Sequence, residues 1–432
     1  MQVSKEQEIV VFQLVQNTTR ILILLEKNYT KNTESVVIEK MILTNKQQEG
    51  LRIAVERYRN GEKYTVISGY AGSGKSTLIK FIISALDVPQ EEVCYVAFTG
   101  KAATVLASKG CPNATTAHKL LYKARPKADG TYMFIPNPAI DYSVVVVDEI
   151  SMLPKPMWDL LLKHHCYILA TGDPGQLPPV DKDADNHVLD HPHIFLDEIM
   201  RQAQDSEIIR LSMWVRDGNP VETFPVANQH VQIVKPGDVV SGMYDWADQI
   251  LCATNAKRNQ INTYMRSQKG FGPSPCEGDK VISLHNHWEY FSDKGTWALT
   301  NGAIGTLGYF NVQDVWTPRY IHQGPIEYMY ANIHLEDGEC FNMTPIDYKQ
   351  LATGEPALDG RQRYMMSKNK MCPEPPFDFA YAYAITTHKA QGSEWDKVLV
   401  FEEGFPFDKE EHKRWLYTAI TRASKKLVIV RK

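Results

Sequence analysis

Residues 69–77 carry the pattern most closely tied to one kind of chemistry, because they fit the spacing G-x-x-x-x-G-K-[ST]. Glycines at this spacing let backbone N–H groups turn inward around phosphate oxygens, and the N-terminus of a following helix adds its dipole. The lysine brings a point charge to the β- and γ-phosphates, and the serine hydroxyl suits Mg²⁺. A chance glycine-rich turn is the alternative. The residues that we predict to bind nucleotide here are Gly72, Ser73, Gly74, Lys75, Ser76 and Thr77.

An acidic pair comes directly after four consecutive valines at residues 144–147. Asp148 and Glu149 would therefore stand at the end of a buried strand. There Asp148 can hold Mg²⁺, usually through water, and Glu149 is a candidate base for the attacking water. The alternative is that the two acids only begin the next helix. Together with the pattern at residues 69–77, the pair favours ATP hydrolysis.

A loop after the apolar run 167–170 adds a third candidate. Gln176 lies in the segment Gly-Asp-Pro-Gly-Gln-Leu-Pro-Pro at residues 172–179. A glutamine at the carboxyl end of a strand can sense the γ-phosphate or orient water. The spacing alone favours an ordinary proline- and glycine-containing turn, so a catalytic role for Gln176 is a hypothesis that needs further support.

These candidates need a framework that brings strand ends together. Helical stretches alternate with apolar runs that read as strands at residues 64–68, 93–98, 144–147 and 167–170. The helices include 43–59, with Thr44 as N-cap, and 75–86. This alternation predicts an α/β fold with parallel βαβ units. Runs at 249–253 and 397–401 predict a second α/β domain of the same kind.

Two segments interrupt the pattern and read as inserts. Residues 122–142 contain three prolines around Ala-Asp-Gly-Thr, which indicates a hairpin. Residues 268–376 are rich in glycine, proline and short β-like runs, which indicates a small β-rich insert. Each of the two α/β domains therefore has one insert.

The composition narrows the class of protein. Of the 432 residues, 43% are hydrophobic and 23% are charged, as in folded soluble chains, and seven scattered cysteines argue against a disulfide framework. The net charge of −4 argues against binding of nucleic acid over much of the protein surface. If the chain binds DNA or RNA, the basic groups must line a local channel. Neither a membrane-spanning run nor a secretory signal is evident, which predicts a cytoplasmic location.

The motifs, taken in chain order, resemble those of superfamily 1 helicases, specifically the RecD/Dda-like group, which moves 5′→3′. The segment Asn-Gly-Ala-Ile-Gly departs from the family pattern, because Ala303 stands where the family has an acid. The segments that carry the resemblance are residues 43–47, 69–77, 98–103, 115–121, 148–149, 172–179, 200–202, 254–255, 301–305, 386–394 and 417–423.

The resemblance implies a fold of two RecA-like parallel-sheet domains. Domain 1 would cover residues 43–200, with the hairpin at 122–142 acting as a pin that separates strands. Domain 2 would combine 201–267 with 377–432, and the insert at 268–376 would be a small SH3-like β-rich unit. An N-terminal helical extension, residues 1–42, matches nothing in the family.

The resemblance also implies roles at the nucleotide. Gln47 would contact the adenine, Arg422 would reach the γ-phosphate from the second domain, and Arg201 would be a second such arginine. Lys75, Glu149 and Gln176 complete the expected catalytic set. Further nucleotide contacts implied by the family are Gln391, Gly392 and Glu394.

Single-stranded DNA would then lie across both domains, bound through its phosphates and not through its bases. For any one contact residue, a helix cap or an ordinary surface polar group is an equally good interpretation. Phe134, in the hairpin, would stack on a base at the fork, although it could equally pack its own hairpin. The other expected nucleic-acid contacts are Phe98, Thr99, Lys101, Thr116, His118, Asn255, Thr387 and His388.

The function implied by the resemblance is an ATP-dependent DNA helicase that uses ATP and Mg²⁺ and acts on single strands and duplex junctions. An RNA helicase of the same superfamily and a DNA-stimulated translocase or loading factor that does not unwind alone are the alternatives. A small-molecule P-loop kinase is disfavoured, since it needs no second domain with an arginine motif. A single-strand-binding or replication protein is a further candidate partner, and replication, repair and recombination all stay open.

Overall fold

The computed structural model describes most of the chain from Leu43 onward. The segments described are residues 43–126, 132–178, 186–200, 205–227, 229–295, 298–336, 338–404 and 408–431. The helical extension predicted for residues 1–42 and the predicted second arginine, Arg201, lie outside these segments. Within them, no helix is both long enough and apolar enough to cross a membrane.

The first lobe contains one sheet of six strands. Its elements are α1 (Asn45–Arg59), β1 (Tyr64–Gly69), α2 (Lys75–Leu86), β2 (Val93–Ala97), α3 (Gly100–Ser108), β3 (Thr115–Thr116), α4 (Ala117–Leu121), β4 (Tyr122–Pro126), β5 (Tyr132–Pro136), β6 (Val144–Val147), α5 (Lys155–Leu161), β7 (Tyr167–Gly172) and β8 (Ile194–Leu196). The strand order in the sheet is β3-β2-β6-β7-β1-β8, and each neighbouring pair is parallel.

Apolar residues cover both faces of this first sheet, which explains why its strands read as unbroken apolar runs. In β6, Val145 and Val147 pack into one cluster, and Val144 and Val146 pack into another. All four valines are at most 2% exposed. Full burial of one such side chain stabilises the fold by roughly 1.5–3 kcal/mol. The predicted strand at residues 144–147 is confirmed.

Two other strands extend beyond their predicted ends because neighbours continue the ladder. Strand β7 was expected to end at Ala170, but Thr171 and Gly172 pair with β1, so β7 ends at Gly172. Strand β1 includes Gly69, which pairs with Leu196 of β8. The first helix begins as expected, since Thr44 caps α1 in a capping box with Gln47.

The second lobe contains a parallel sheet of five strands. Its elements are α6 (Glu207–Arg216), β9 (Val231–Val234), α7 (Ser241–Trp246), β10 (Gln249–Cys252), α8 (Asn255–Gln268), β18 (Ala384–Thr386), α11 (Thr387–Ala390), β19 (Trp395–Phe401), α12 (Lys409–Ile420) and β20 (Ala423–Val430). The strand order is β18-β10-β19-β20-β9. A sheet of this kind confirms the second α/β domain expected from the sequence.

An insert with an antiparallel sheet of five strands lies between α8 and β18 in the chain. Its elements are β11 (Lys280–Ser283), β12 (His287–Phe291), β13 (Ala298–Leu299), β14 (Ile304–Trp316), β15 (Pro325–His334), β16 (Cys340–Asp347), α9 (Tyr348–Thr353), α10 (Gly360–Lys368) and β17 (Phe379–Tyr381). The strand order is β16-β15-β14-β11-β17, and β12 and β13 form a separate pair. The likeness of this insert to an SH3 domain stays a prediction.

The first insert consists of β4 and β5, which form the antiparallel pair that the hairpin signal predicts. Tyr122 lies opposite Pro136, and Pro126 lies opposite Tyr132. The connecting turn and the side chain of Phe134 lie outside the described residues. The use of this hairpin as a separation pin stays a prediction.

Candidate active site between the two lobes

The loop between β1 and α2 has the backbone that a phosphate site needs. Gly72 and Gly74 have φ of +77° and +79°, a region that side chains other than glycine rarely adopt. A Cβ on Gly69 would lie 2.6 Å from Ser73 Oγ and 2.8 Å from the Leu196 carbonyl, so a side chain there would clash. The glycines predicted from the motif are therefore required by the local geometry.

Lys75 begins α2 and turns back onto this loop. Its Nζ donates to the carbonyl oxygens of Gly69 at 2.6 Å and Tyr70 at 3.0 Å. Burial lowers the pKa of Lys75, while the charges of Asp173, Asp148 and, to a smaller extent, Glu149 act in the opposite direction. The ammonium therefore lies beside the loop that would cradle phosphates, and two backbone carbonyls of that loop hold it in place.

The acidic pair lies directly after β6. Asp148 Oδ1 accepts hydrogen bonds from Thr171 Oγ1 at 3.0 Å and from the Glu149 amide at 3.1 Å. Glu149 has φ of +50°, which turns the chain sharply between strand and helix. The alternative interpretation, that the two acids only begin a helix, agrees only in part with the structure. The next element is a single 3₁₀ turn, Ile150–Met152, without a side-chain cap.

Glu149 combines burial with an unused oxygen. Burial raises the pKa of Glu149, and the Arg422 guanidinium is the strongest influence in the opposite direction. Among the residues that the structure describes, Glu149 Oε2 has no hydrogen-bond partner. A buried carboxylate oxygen without a partner is costly, so this atom is suited to accept a hydrogen bond from a ligand or water.

The second lobe supplies Arg422 across the boundary between the lobes. Its Nη1 lies 3.8 Å from Glu149 Oε1. Its Nε donates to the Thr418 carbonyl at 3.1 Å, and its Nη1 donates to the Ser393 carbonyl at 3.2 Å. These bonds hold the guanidinium, only 6% exposed, in one orientation that faces the first lobe.

A loop of the first lobe, residues 173–177, inserts into the second lobe; we call it the glutamine loop. Leu177 belongs to the apolar core of the second lobe. The Leu177 amide donates to Thr418 Oγ1 at 2.9 Å, and its carbonyl accepts from Gln391 Nε2 at 3.0 Å. Gln176 itself is 8% exposed, and its Oε1 has no hydrogen-bond partner among the described residues.

The remaining predicted nucleotide contacts of the second lobe differ in placement. Gly392 has φ of +74°, and a Cβ there would lie 2.7 Å from Ala102 Cβ, so only glycine lets the lobes approach this closely. The same Cβ would lie 3.5 Å from Glu149 Oε2. The structure therefore brings Gln391 and Gly392 to the cleft, whereas Glu394 is exposed.

Gln47 is buried beneath the phosphate loop. Its Oε1 accepts from the Thr44 amide at 3.0 Å, and its Nε2 lies 3.4 Å from the Gly74 carbonyl and 3.5 Å from the Ser73 carbonyl. With 1% exposure, the amide already has protein partners on both sides. Its role as an adenine contact stays a prediction. The Met200 amide also bonds the Gly72 carbonyl, at 3.0 Å, a contact that sequence reasoning missed.

The site contains oxygen ligands of the kind that magnesium prefers. Ser76 is exposed at the start of α2, and Asp148 is only partly buried. Hydroxyl and carboxylate oxygens are the hard ligands that Mg²⁺ prefers, usually with several waters retained. No group of three or more histidine, cysteine, aspartate or glutamate side chains suited to a metal occurs in the described part of the chain.

The nucleic-acid candidates of the first lobe lie at the carboxyl ends of β2 and β3, which are neighbours. Thr99 and Thr116 cap α3 and α4 through their hydroxyls, as the helix-cap interpretation allowed. The Lys101 ammonium lies 4.5 Å from the centre of the Trp395 ring, so it contacts the second lobe. Phe98 and His118 lie in ring contact at 5.7 Å, and burial lowers the pKa of His118.

The candidates of the second lobe lie at the carboxyl ends of β10 and β18, also neighbours. Asn255 is exposed as the first residue of α8. Thr387 is fully buried, and its hydroxyl donates to the Cys252 carbonyl at 3.4 Å, whereas His388 is partly exposed. Sequence reasoning missed Glu403, whose carboxylate accepts from the Thr254 amide at 3.0 Å and so fixes the turn before Asn255.

Two families match separate parts of the chain. Residues 43–237 match the AAA domain family, and residues 381–430 match the UvrD-like helicase C-terminal domain. The first match contains the phosphate loop, the acidic pair and the glutamine loop. The second contains Gln391 and Arg422, so each match supplies one side of the cleft.

Two proteins with helicase names match this sequence, at 25% and 29% identity. The ATP-dependent RecD2 DNA helicase of Deinococcus radiodurans is 25% identical over 84% of this chain and 46% of its own length. The ATP-dependent DNA helicase dda of Enterobacteria phage T4 is 29% identical over 32% of this chain and 33% of its own length. The chain therefore spans less than half the length of these two curated relatives.

The fold is also known from a solved structure. A crystal structure of Bacteroides Pif1 bound to ssDNA superposes with a TM-score of 0.52 at 19% identity, over 90% of this chain and 92% of that chain. Fold and site together define a P-loop NTPase with two RecA-like lobes. Within that class, the chain is similar to superfamily 1 helicases of the RecD/Dda/Pif1 kind, whose named members here are ATP-dependent DNA helicases.

Proposed function

We propose that this chain is an ATP-dependent DNA helicase that moves 5′→3′ on single-stranded DNA. The observation that carries the proposal is the placement of Arg422 from the second lobe 3.8 Å from Glu149 of the first. Because the two groups come from different lobes, hydrolysis at this site depends on how the lobes sit against each other. The names of the relatives, RecD2, Dda and Pif1, support DNA as the substrate.

The chemistry proposed is attack of water on the γ-phosphorus. Glu149 accepts the proton of that water, a P–O bond forms, and the bond to the β–γ bridging oxygen breaks to leave ADP and phosphate. Lys75 balances charge on the β- and γ-phosphates, and Arg422 stabilises charge that develops in the transition state. Ser76 and Asp148 would hold Mg²⁺, which when bound neutralises phosphate charge.

Movement follows from the contacts that join the lobes. ATP between Lys75 and Arg422 would favour the closed arrangement, and release of phosphate would remove that bridge. The glutamine loop, whose Leu177 packs in the second-lobe core, gives the phosphate site a mechanical connection to that lobe. Repeated closing and opening would then step the two rows of strand-end contacts, such as Thr99 and Asn255, along a strand.

Two further features of the proposed mechanism are the direction of movement and the role of the hairpin. Polarity is supported by the likeness of the motifs to the RecD/Dda group. The antiparallel pair β4–β5 follows directly in the chain after β3 and α4, which carry the candidate contacts Thr116 and His118. A hairpin in this position is suited to meet a duplex as the strand enters.

The test is unwinding of two partial duplexes, one with a 5′ single-stranded tail and one with a 3′ tail, in ATP and Mg²⁺. Opening of the 5′-tailed substrate alone is expected. Opening of the 3′-tailed substrate alone would contradict the polarity. DNA-stimulated ATPase without opening of either would favour the translocase or loading factor, and stimulation by poly-U but not poly-dT would favour the RNA helicase. Lys75→Ala serves as the control without ATP-driven unwinding.

A further inference from the structure

Tyr417, on α12, has an environment that none of the proposed roles explains. Its side chain is only 1% exposed. The residue belongs to the second lobe, but its hydroxyl bonds to groups of the first lobe. The hydroxyl accepts a hydrogen bond from the Ala71 amide at 3.1 Å and donates to Asp173 Oδ2 at 2.6 Å. Ala71 lies in the phosphate loop, and Asp173 begins the glutamine loop.

The direction of these bonds follows from the charge on the phenol. Burial and the neighbouring Asp173 carboxylate raise the pKa of Tyr417, so the phenol is neutral at physiological pH. A neutral hydroxyl can donate one hydrogen bond and accept others. It therefore uses its proton on Asp173 and its lone pair on the Ala71 amide, and phenylalanine could do neither.

The Asp173 carboxylate is also held from its other side. Asp173 is 3% exposed, and its second oxygen accepts from the Gly175 amide at 2.9 Å. A Cβ on Gly175 would lie 3.0 Å from Tyr417 Cε1, so the glutamine loop is shaped around the ring. The charge of Asp173 also acts on Lys75, opposing the effect of burial. The carboxylate that Tyr417 holds is thus part of the field at the phosphate site.

The same end of α12 carries the other groups that cross the boundary. Thr418, the next residue, accepts from the Leu177 amide, and its carbonyl accepts from Arg422 Nε. A shift of α12 therefore moves Tyr417, Thr418 and Arg422 together. Any displacement of the second lobe reaches the phosphate loop, the glutamine loop and the Glu149 side chain at once.

We infer that Tyr417 is a positioning residue of the ATPase site, whose hydroxyl ties the Ala71 amide of the phosphate loop to the Asp173 carboxylate and thereby sets their geometry from the second lobe. The inference rests on the proposed function, since it assigns a coupling role within the same site. Tyr417 acts through Ala71 and Asp173 and takes no proton from the substrate.

The experiment compares steady-state ATPase of the full chain with Tyr417→Phe, with and without poly-dT. The variant removes only the hydroxyl and is expected to lower the DNA-stimulated kcat about tenfold, with KM for ATP unchanged, because a hydrogen bond to a charged group is lost. Tyr328→Phe is the matched control: Tyr328 is also fully buried, and its hydroxyl bonds the Glu374 carbonyl at 2.9 Å in the insert. It should lose a similar amount of thermal stability and keep its ATPase.

A double-mutant cycle with Asp173→Asn separates positioning from a general loss of packing. If Tyr417 acts in part through Asp173, the loss of log kcat in the double variant is smaller than the sum of the two single losses. Additive losses, or a Tyr417→Phe kcat equal to wild type, would overturn the inference. If Asp173→Asn does not fold, the kcat and KM of Tyr417→Phe against Tyr328→Phe decide alone. A wild-type chain without any stimulation by DNA would instead overturn the proposed function.

Discussion

The two lobes contain the same junction, a parallel strand followed by a loop and a helix, and use it differently. In the first lobe, β1 leads to α2, whose N-cap Gly74 makes no side-chain capping bond. In the second, β10 leads to α8, where Thr254 caps the Lys257 amide and Glu403 accepts from the amides of Ala253 and Thr254. Helix N-termini attract anions. The first junction leaves room for phosphate, whereas the second already contains its anion.

The acids beside the two junctions show the same contrast. Glu403 uses both oxygens, since its Oε1 also accepts from Thr254 Oγ1 at 2.7 Å. Glu149 leaves Oε2 without a partner among the described residues, and its other oxygen faces Arg422 at 3.8 Å. A satisfied carboxylate stabilises a turn, whereas an unsatisfied one is available for chemistry. One architecture can therefore supply either a reactive site or a scaffold, depending on which group occupies the end of the helix.

The largest effect is expected from Glu149→Gln, because an amide in place of the Glu149 carboxylate cannot accept a proton from water. The kcat of ATP hydrolysis should fall about 10²–10⁴-fold, with KM for ATP little changed. Burial raises the pKa of Glu149. The base must be ionised, so wild-type kcat should decline as pH falls through a pKa above the ordinary glutamate range. ATPase assays from pH 5 to 9 measure this decline in kcat. The same decline in Glu149→Gln would contradict the assignment of Glu149 as base.

The second-largest effect is expected from Lys75→Ala, which removes the ammonium beside the phosphate loop. Loss of one charge-stabilising group should lower kcat/KM for ATP about 10²–10³-fold. Lys80→Ala is the matched control, because Lys80 is exposed on the same helix. Equal losses in the two variants would show that a general effect of charge on α2, and not the phosphate loop, is responsible.

A smaller effect is expected from Glu403→Ala, which removes the carboxylate from the junction between β10 and α8. The amides of Ala253 and Thr254 and the Thr254 hydroxyl lose their acceptor, so the free energy of unfolding should fall by about 1–3 kcal/mol. Urea denaturation measures the change, with exposed Glu277→Ala as control. Added sulfate should recover stability in Glu403→Ala more than in wild type. If sulfate has the same effect on both proteins, the junction between β10 and α8 does not bind an anion in place of the Glu403 carboxylate.

The smallest effect concerns Lys101, at the edge of the first lobe that carries the candidate nucleic-acid contacts. Burial lowers the pKa of Lys101 to about 8. The lysine loses its charge as pH rises through that value, so wild-type affinity for single-stranded DNA should decline from pH 7 to 9. Lys101→Arg should flatten this decline, because arginine stays charged. Lys101→Met should reduce the slope of log affinity against log salt by about 1 in fluorescence anisotropy. An unchanged slope would remove Lys101 from the phosphate contacts.

The sequence predicts best where a signal is local. The phosphate loop, the acidic pair and the Thr44 cap each lie within a few residues, and the buried valines of β6 declare their strand by composition alone. Short strands such as β8 and β9 give too little pattern to be recognised, since three or four residues cannot establish a period. The extra length of β7 depends on pairing with β1, which is a property of the folded sheet.

Contacts between distant segments could not be predicted in the same way. Tyr417 was visible as part of a family motif, but its bond to Ala71 joins residues 346 positions apart. Glu403 and Thr254 are 149 positions apart, and nothing beside Glu403 in the sequence marks it as a cap. The family resemblance gave Arg422 its expected role, whereas only the structure shows which carboxylate it faces.

In the proposed mechanism, hydrolysis in the first lobe depends on Arg422 of the second. The most direct measurement is ATPase of Arg422→Lys in saturating poly-dT, alongside binding of a fluorescent ADP analogue. An arginine that stabilises the transition state contributes about 10³-fold or more. We expect kcat to fall by about that factor while the Kd for the analogue stays close to wild type. A kcat equal to wild type would contradict this dependence, because the cleft would then hydrolyse ATP without Arg422 of the second lobe.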